Sequence, residues 1–523
     1  MAARVALLAL LVVVGAALAR LPVEVPRPPE APLLPEPRAP TRAELDAAEV
    51  AVRAVGGGIS REHDFAYQRH PYSTPHTISV GRLVSAEQID ALPDPAFSYS
   101  LWVAIDPTTP PGLLARLGRL RHLRRLSVEV RASPDERWLL HDDTPPPAFT
   151  AARVAELAAV PHLEQLYLHR GGADPRFGDD VAALLPAFPA LRSVTGLTGI
   201  SDVGAATLAR MDRLERLIVG GPRLTDAGLE GLSALPRLRD LDVRNRPPLT
   251  AASLRPFTLR PRLIRLSLQV PKSDPAALEE VARIHTLEYL TVGTPVMDHQ
   301  LECDLAPLAR LPRLRVLTSG WAVNSDEAAE VLSRFPALES AGLYRGTDAG
   351  VRHLARIRTL RHVQVSSPAV TDAGLAALAE LPRLETLGLS VGPGVTDATL
   401  DALAAAPRLT SFGFHVWGST GPSGFTEAGL RRFVSARGPR LEGLSASQVG
   451  VGDDFVTFVA ANAPNLRRLG LGMDRGITDR SVPALRTLPR LRSLNVGGSS
   501  SGRPGLRALE YEVHGIRVVT NPR

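Results

Sequence analysis

The sequence predicts an α/β solenoid, a curved stack of strand-plus-helix repeats with one parallel sheet on its concave face. Leucines in a single register return at positions 123, 163, 191, 214, 238, 263, 287, 314, 338, 360, 384, 409, 441, 466 and 491. From Leu191 onward most gaps lie between 22 and 28 residues, with one longer gap before Leu441. A proline stands two residues before most of these anchors, as at Pro161, Pro189, Pro236, Pro312, Pro336, Pro407, Pro464 and Pro489. Within each unit the apolar spacing switches from helical to alternating. A fixed period in the twenties marks units too small to bury their own apolar face, each completed by its neighbours.

The stretch Val370 to Phe414 shows the unit twice. Thr371 is placed to cap a helix, because its hydroxyl can accept from an orphan backbone N–H, and Asp372 puts negative charge at the positive end of the helix dipole. Leu375, Leu378 and Leu381 recur at helical spacing, and Pro382 stops the helix by removing a donor and clashing with the preceding turn. Leu384, Leu387 and Leu389 follow, the last two alternating about Gly388, which is the period of a strand with one buried face. A glycine-bearing turn at Gly392 to Gly394 closes the unit before Thr396 and Asp397 open the next.

The pattern resembles the leucine-rich repeat family, in the variety with an ITDxGLxxLAxxxPxLxxLxL unit that occurs in F-box substrate receptors and in many bacterial proteins. The segments that carry the resemblance are LTDAGLEGLSALPRLRDLDV at 224–243, VTDAGLAALAELPRLETLGL at 370–389 and ITDRSVPALRTLPRLRSLNV at 477–496. It covers about four fifths of the chain and implies the solenoid fold. The cysteines frequent in the eukaryotic repeats are replaced, for example by Leu381, and no F-box-like segment precedes the repeats, so a role in ubiquitin transfer is not implied.

Across 523 residues, hydrophobic content is 44%, enough for one continuous core, and aromatics at 5% fit a core of Leu, Ala and Val. The net charge is +6, yet Lys272 is the only lysine and the chain is crowded with Ala, Gly and Pro, a bias that GC-rich bacterial coding produces. The arginines interleave with acids, as in Arg237, Arg239, Asp240, Asp242 and Arg244, rather than forming a basic stripe, and no nucleic-acid partner is expected.

The order of segments is that of an exported protein. Residues 1–19 carry Arg4, an apolar run from Val5 and a small-x-small end at Ala17 and Ala19, the layout of a secretory signal peptide; the run is short for a membrane span, an uncleaved anchor being the alternative. Residues 20–40 are proline-rich and read as an extended spacer. Residues 41–100 read as an N-terminal cap, beginning with a capping-box pair, Thr41 and Glu44, and a helix with Leu45, Ala48, Val52 and Val55 on one face. Residues 101–523 are the repeat domain, with Gly515 to Val519 as a final edge strand.

Motifs of chemistry are weak. Lys272 follows Pro271 rather than a glycine loop, so there is no P-loop. His63, His70 and His76 match no metal-site spacing. The pairs Asp142/Asp143, Asp179/Asp180 and Asp453/Asp454 read as loop polarity for the first and helix N-terminal charge for the other two. Cys303, alone in the chain, forms no internal disulfide. Gly498, Ser500 and Gly502 satisfy G-x-S-x-G, but only His514 lies downstream, which makes a serine hydrolase the least favoured reading. No cofactor is expected.

In such a stack the third, fifth and seventh positions of L-x-x-L-x-L-x point out from the strand face. They place Tyr167, His169, Asp240, Asp242, Arg244, Arg265, Tyr289, Tyr344, His362 and His415 there, with Trp321 and Trp417 just beyond two strands. Tyr, Trp and Arg combine large area with a polar handle, which binding hot spots favour. The sequence therefore points to a non-catalytic protein that binds a protein or peptide on its concave face, with a structural envelope spacer as the alternative. Toward the C-terminus the row shrinks to Gly443, Ser445, Gly470, Gly472, Ser493 and Asn495, either to admit a partner's backbone or to relieve crowding.

Overall fold

The computed structural model describes residues 40–54, 58–61, 76–82, 85–105, 109–130, 151–170, 177–244, 250–259, 262–268, 275–292, 305–318, 325–392, 394–416, 424–472, 476–496, 505–506 and 517–519. Among them the strands form one 19-stranded sheet. Only its first pair, Gly58–Arg61 with His76–Arg82, is antiparallel. From His76–Arg82 onward each strand pairs in parallel with the next in sequence, as in Ser340–Tyr344 with His362–Ser367 and that strand with Thr386–Val391, ending at Arg517–Val519 beside Ser493–Asn495. Short α or 3-10 helices alternate with the strands and cover one face of the sheet. Parallel strands lie about 4.8 Å apart whereas helices are about 10 Å wide, so a stack of this kind bends with its sheet inside.

All fifteen anchor leucines are buried, none more than 3% exposed. Leu387 and Leu389 turn inward while Thr386 and Gly388 remain half-exposed on the open face. The helical part of the unit is tighter than its spacing suggests. Asp372–Leu375 is α, Ala376–Glu380 is 3-10, and Leu381 is already extended ahead of Pro382. At the N-terminal end, the Thr41 amide donates to Glu44 Oε2 (2.8 Å) and the Glu44 amide to Thr41 Oγ1 (3.3 Å); Ala48 and Val52 of the helix Arg42–Ala54 are buried. Val55 lies outside the described residues.

The Thr-Asp pair does more than begin a helix. Asp326 Oδ1 accepts from the amides of Thr347 (2.8 Å) and Gly350 (2.9 Å), and Oδ2 from the Thr347 hydroxyl (2.6 Å), all three in the following repeat. Asp179 holds Ser201 and Gly204 in the same way, Asp202 holds Thr225, Asp348 holds Thr371, Asp372 holds Thr396, Asp397 holds Thr426 and Asp453 holds Thr478. The hydroxyl acts as a relay, since Thr347 Oγ1 donates to Asp326 and accepts from the Ala349 amide of its own helix (3.2 Å). Thr371 departs from the expected cap: it makes no side-chain bond to its own helix, and its hydroxyl donates to Asp348 Oδ2 (2.7 Å).

This contact explains the glycine of the T-D-x-G motif. A Cβ at Gly204, Gly228, Gly350, Gly374 or Gly429 would collide with the aspartate of the preceding repeat. Where the glycine is replaced by a hydroxyl residue, that hydroxyl joins the contact: Thr399 donates to Asp372 (2.5 Å), Ser253 to Asp226 and Ser481 to Asp453. Burial raises the carboxyls of Asp179, Asp326, Asp372 and Asp453, but the hydrogen bonds from the next repeat together outweigh it and hold each below the ordinary 3.8.

A second ladder runs one residue after the anchors, where basic and acidic side chains face one another on neighbouring repeats. Arg192 meets Glu215 (3.2 Å), Arg315 lies between Glu288 (3.7 Å) and Glu339 (2.8 Å), Arg361 meets Glu385 (2.5 Å) and Arg467 meets Glu442 (3.7 Å). These pairs are partly solvated and individually worth well under about 1 kcal/mol, so they favour register more than stability.

Two predictions follow from the aspartate contacts. Gly350→Ala should lower stability by about 1–3 kcal/mol, because the added methyl displaces Asp326. Gly231→Ala, whose Cβ meets nothing nearer than Ala209 Cβ at 3.9 Å, should instead gain up to about 1 kcal/mol from helix propensity; urea denaturation of both variants checks the opposite signs. Carboxyls held low in the fold contribute stability that is complete above their unfolded pKa and lost as pH falls through their folded values. The denaturation midpoint should therefore drop as pH falls below 3.8, and drop less steeply in Asp326→Asn/Asp372→Asn.

Candidate binding surface

The surface available to a partner is the sheet face opposite the helices. Backbone amides and carbonyls there are committed to the ladder between strands, so recognition falls to side chains at alternate positions. Between the strands Leu123–Val130 and Tyr289–Val292 these side chains form a connected group. The Arg125 guanidinium carbon lies 4.3 Å from the centre of the Tyr167 ring. Arg216 approaches the same ring at 5.7 Å and donates to the Tyr167 hydroxyl (2.7 Å), reaching across the strand Ser193–Leu197, where Ser193 and Thr195 are small. Arg216 Nε is 3.3 Å from Asp240 Oδ2, Arg265 Nε is 3.7 Å from the same oxygen, and Arg265 stacks on Tyr289 at 4.0 Å. The Asp240 side chain is only 7% exposed, and two guanidinium groups compensate its burial.

The other sequence-predicted residues take different places. His169 is half-buried, with Nε2 2.9 Å from Ser127 Oγ; burial pushes its pKa down, and the Glu129 carboxylate opposes that. Asp242 pairs with the exposed Arg244 (2.6 Å). Tyr344 is half-buried, its ring leaning over Gly342, and burial raises its phenol. His362 is half-buried and burial lowers its pKa, with Glu385 opposing and Arg361 assisting. His415 is exposed near the end of the strand Ser411–Val416. Trp321 and Trp417 lie outside the described residues, as do Ser500, Cys303, Lys272, His63 and His70. Among the described residues no group of three or more His, Cys, Asp or Glu is arranged to hold a metal ion.

Two members of the connected group escaped the sequence reading. Arg125 and Arg216 occupy the third position after Leu123 and Leu214, the same register that yields Asp240 and Tyr289. Their contribution depends on reaching diagonally to Tyr167, which a one-strand pattern does not show. Two of the small C-terminal residues, Gly443 and Gly470, sit where neighbouring side chains already fill the space. Arg468 donates to Ser411 Oγ (3.2 Å) across Gly443, where a Cβ would strike that hydroxyl, and a Cβ at Gly470 would come within 2.7 Å of Ser445 Oγ.

With consecutive strands paired in parallel from His76–Arg82 onward and an anchor leucine buried in each of the fifteen rungs from Leu123–Val130 to Ser493–Asn495, the architecture is decided. The fold is a leucine-rich repeat solenoid. The sequence matches no known family model and no curated protein. Solved structures similar to this leucine-rich repeat chain include that of the Rad7 and Elc1 complex in yeast, with a TM-score of 0.41 and 15% identity over 70% of this chain and 83% of that one. An internalin from Listeria monocytogenes has a TM-score of 0.31 and 17% identity, over 70% of this chain and 83% of its own. The TLR13–ssRNA13 complex has a TM-score of 0.39 and 15% identity, over 84% of this chain and 61% of the other.

Because burial depresses the pKa of His169 and His362, both should titrate below the ordinary 6.5. Their contribution to stability is then complete above 6.5 and lost as pH falls through the lowered values. Imidazole NMR titration of single His169→Gln and His362→Gln variants assigns the two curves; a midpoint above 6.5 for either would contradict the half-buried placement.

Proposed function

We propose that this leucine-rich repeat chain is a non-catalytic recognition protein that holds a protein or peptide segment against the open face of its sheet. The observation that carries the reading is the joined Arg–Tyr–Asp group on that face. Strand packing requires only the inward leucines, yet on the outward face Arg125, Tyr167, Arg216, Asp240, Arg265 and Tyr289 are held by one another across small neighbours such as Ser193 and Thr195. Aromatic and guanidinium groups fixed in advance lose little conformational freedom on binding, which is how a rigid surface gains affinity.

The order of Arg4, an apolar run and Ala17/Ala19 supports export, with the proline-rich residues 20–40 as a spacer between the repeats and the envelope. Among the described residues no helix is long and apolar enough to cross a membrane.

Cross-linking in the native envelope fraction should capture a partner with the wild-type chain and lose it at least about tenfold with Tyr289→Ala/Tyr344→Ala/His362→Ala, an effect on the scale of hot-spot truncation, while thermal unfolding of the variant stays cooperative. Undiminished capture by the variant would move the contact away from this face. Mass spectrometry of the same material should find a mature chain beginning at Arg20; a retained Met1 would mark the anchored form.

A further inference from the structure

Resting on the recognition reading above, we propose that the partner segment is acidic and extended, and that it crosses the strands with carboxylates seated on Arg216 and Arg265 between the rings of Tyr167 and Tyr289. The charge balance of the group gives the sign. Among the described residues Arg216 and Arg265 bring two guanidinium groups against one carboxylate, Asp240, so the trio that would seat the partner is positive by one. Asp242, in the next row, is matched by Arg244 (2.6 Å) and leaves that excess intact. Glu129 stands farther along, on the strand beside His169.

The geometry gives the shape. Asp240 clamps one side of Arg216 and Arg265, while the tyrosines support the guanidinium planes, at 5.7 Å for Arg216 on Tyr167 and 4.0 Å for Arg265 on Tyr289. A planar fork held this way recognises carboxylate edge-on. Arg216 and Arg265 sit on strands that flank the strand of Asp240, so their backbones are about 9.6 Å apart at ordinary strand spacing. A polyproline II chain presents every third side chain on one side at about 9.3 Å. An acid-x-x-acid segment rich in proline therefore matches the row, and tyrosine rings are the surfaces on which such chains pack. A continuous phosphate chain fits less well, because Asp240 and Asp242 would stand beneath its middle.

Fluorescence anisotropy with the intact chain and a labelled peptide of repeated Glu-Pro-Pro tests the proposal. Binding should be weakened by salt, and should fall at least about tenfold when Glu is replaced by Gln in the peptide, the loss expected for a charge-assisted fork. It should fall equally with Arg216→Ala/Arg265→Ala, and be unchanged by Arg352→Ala/Arg356→Ala, which removes the same charge from the helix side. Should the first variant fail to fold with Asp240 left uncompensated, Arg216→Gln/Asp240→Asn/Arg265→Gln removes all three charges together while keeping polar side chains and must show the same loss. Equal affinity for the Gln peptide, no binding of the Glu peptide, or displacement of it by single-stranded RNA from Arg216 and Arg265 would overturn the proposal. If envelope cross-linking still captures a partner that the Tyr289/Tyr344/His362 variant loses, the recognition reading stands and only the acidic specificity falls.

Discussion

A carboxylate that leaves one repeat to bind the threonine of the next is the contact on which the stack depends. In a solenoid each unit touches only its neighbours, so stability is a sum of unit and interface terms. The leucine core is shared by every rung, but apolar packing is non-directional and tolerates sliding. The aspartate supplies direction. Asp326 meets two amides and a hydroxyl of the following repeat, and those three donors fix both the height and the rotation of the next helix.

The same contact dictates local sequence in two repeats at once. Thr347 must carry a hydroxyl that donates backward and accepts from its own helix, and Gly350 must lack a side chain so that Asp326 can enter. The substitutions are chemically coherent, since Thr399, Ser253 and Ser481 replace the glycine and add a donor to the carboxylate they would otherwise obstruct. On the opposite edge of several units Arg–Glu pairs align the strand beginnings, so there register is held at both ends of the rung.

With packing and register assigned to the inward leucines, the aspartates and the edge charges, the outward strand positions are left without a structural duty. They divide along the sheet. Between Arg125 and Tyr289 arginines and tyrosines interlock about a buried aspartate, whereas at Gly443 and Gly470 neighbouring side chains fill the space a Cβ would take. The functional reading follows from that division, because the first group spends charge and aromatic area on a face that the core does not use.

Much of the architecture was legible from sequence, because a period of leucine anchors is a one-dimensional record of a one-dimensional stack. Leu384, Leu387 and Leu389 announce a strand and Pro382 a helix end through local backbone chemistry, and the repeat period announces a closing strand, described over Arg517–Val519. What sequence could not decide was which side chains in different repeats meet. Asp372 read alone is a helix-dipole charge, and only tertiary structure shows it bound to Thr396 and Thr399. Arg125, Tyr167, Arg216, Asp240 and Arg265 are scattered over more than a hundred residues, and they become one group because parallel pairing brings successive strands side by side. Periodicity records how each repeat folds; contacts between repeats depend on the reach and direction of individual side chains, which spacing does not encode.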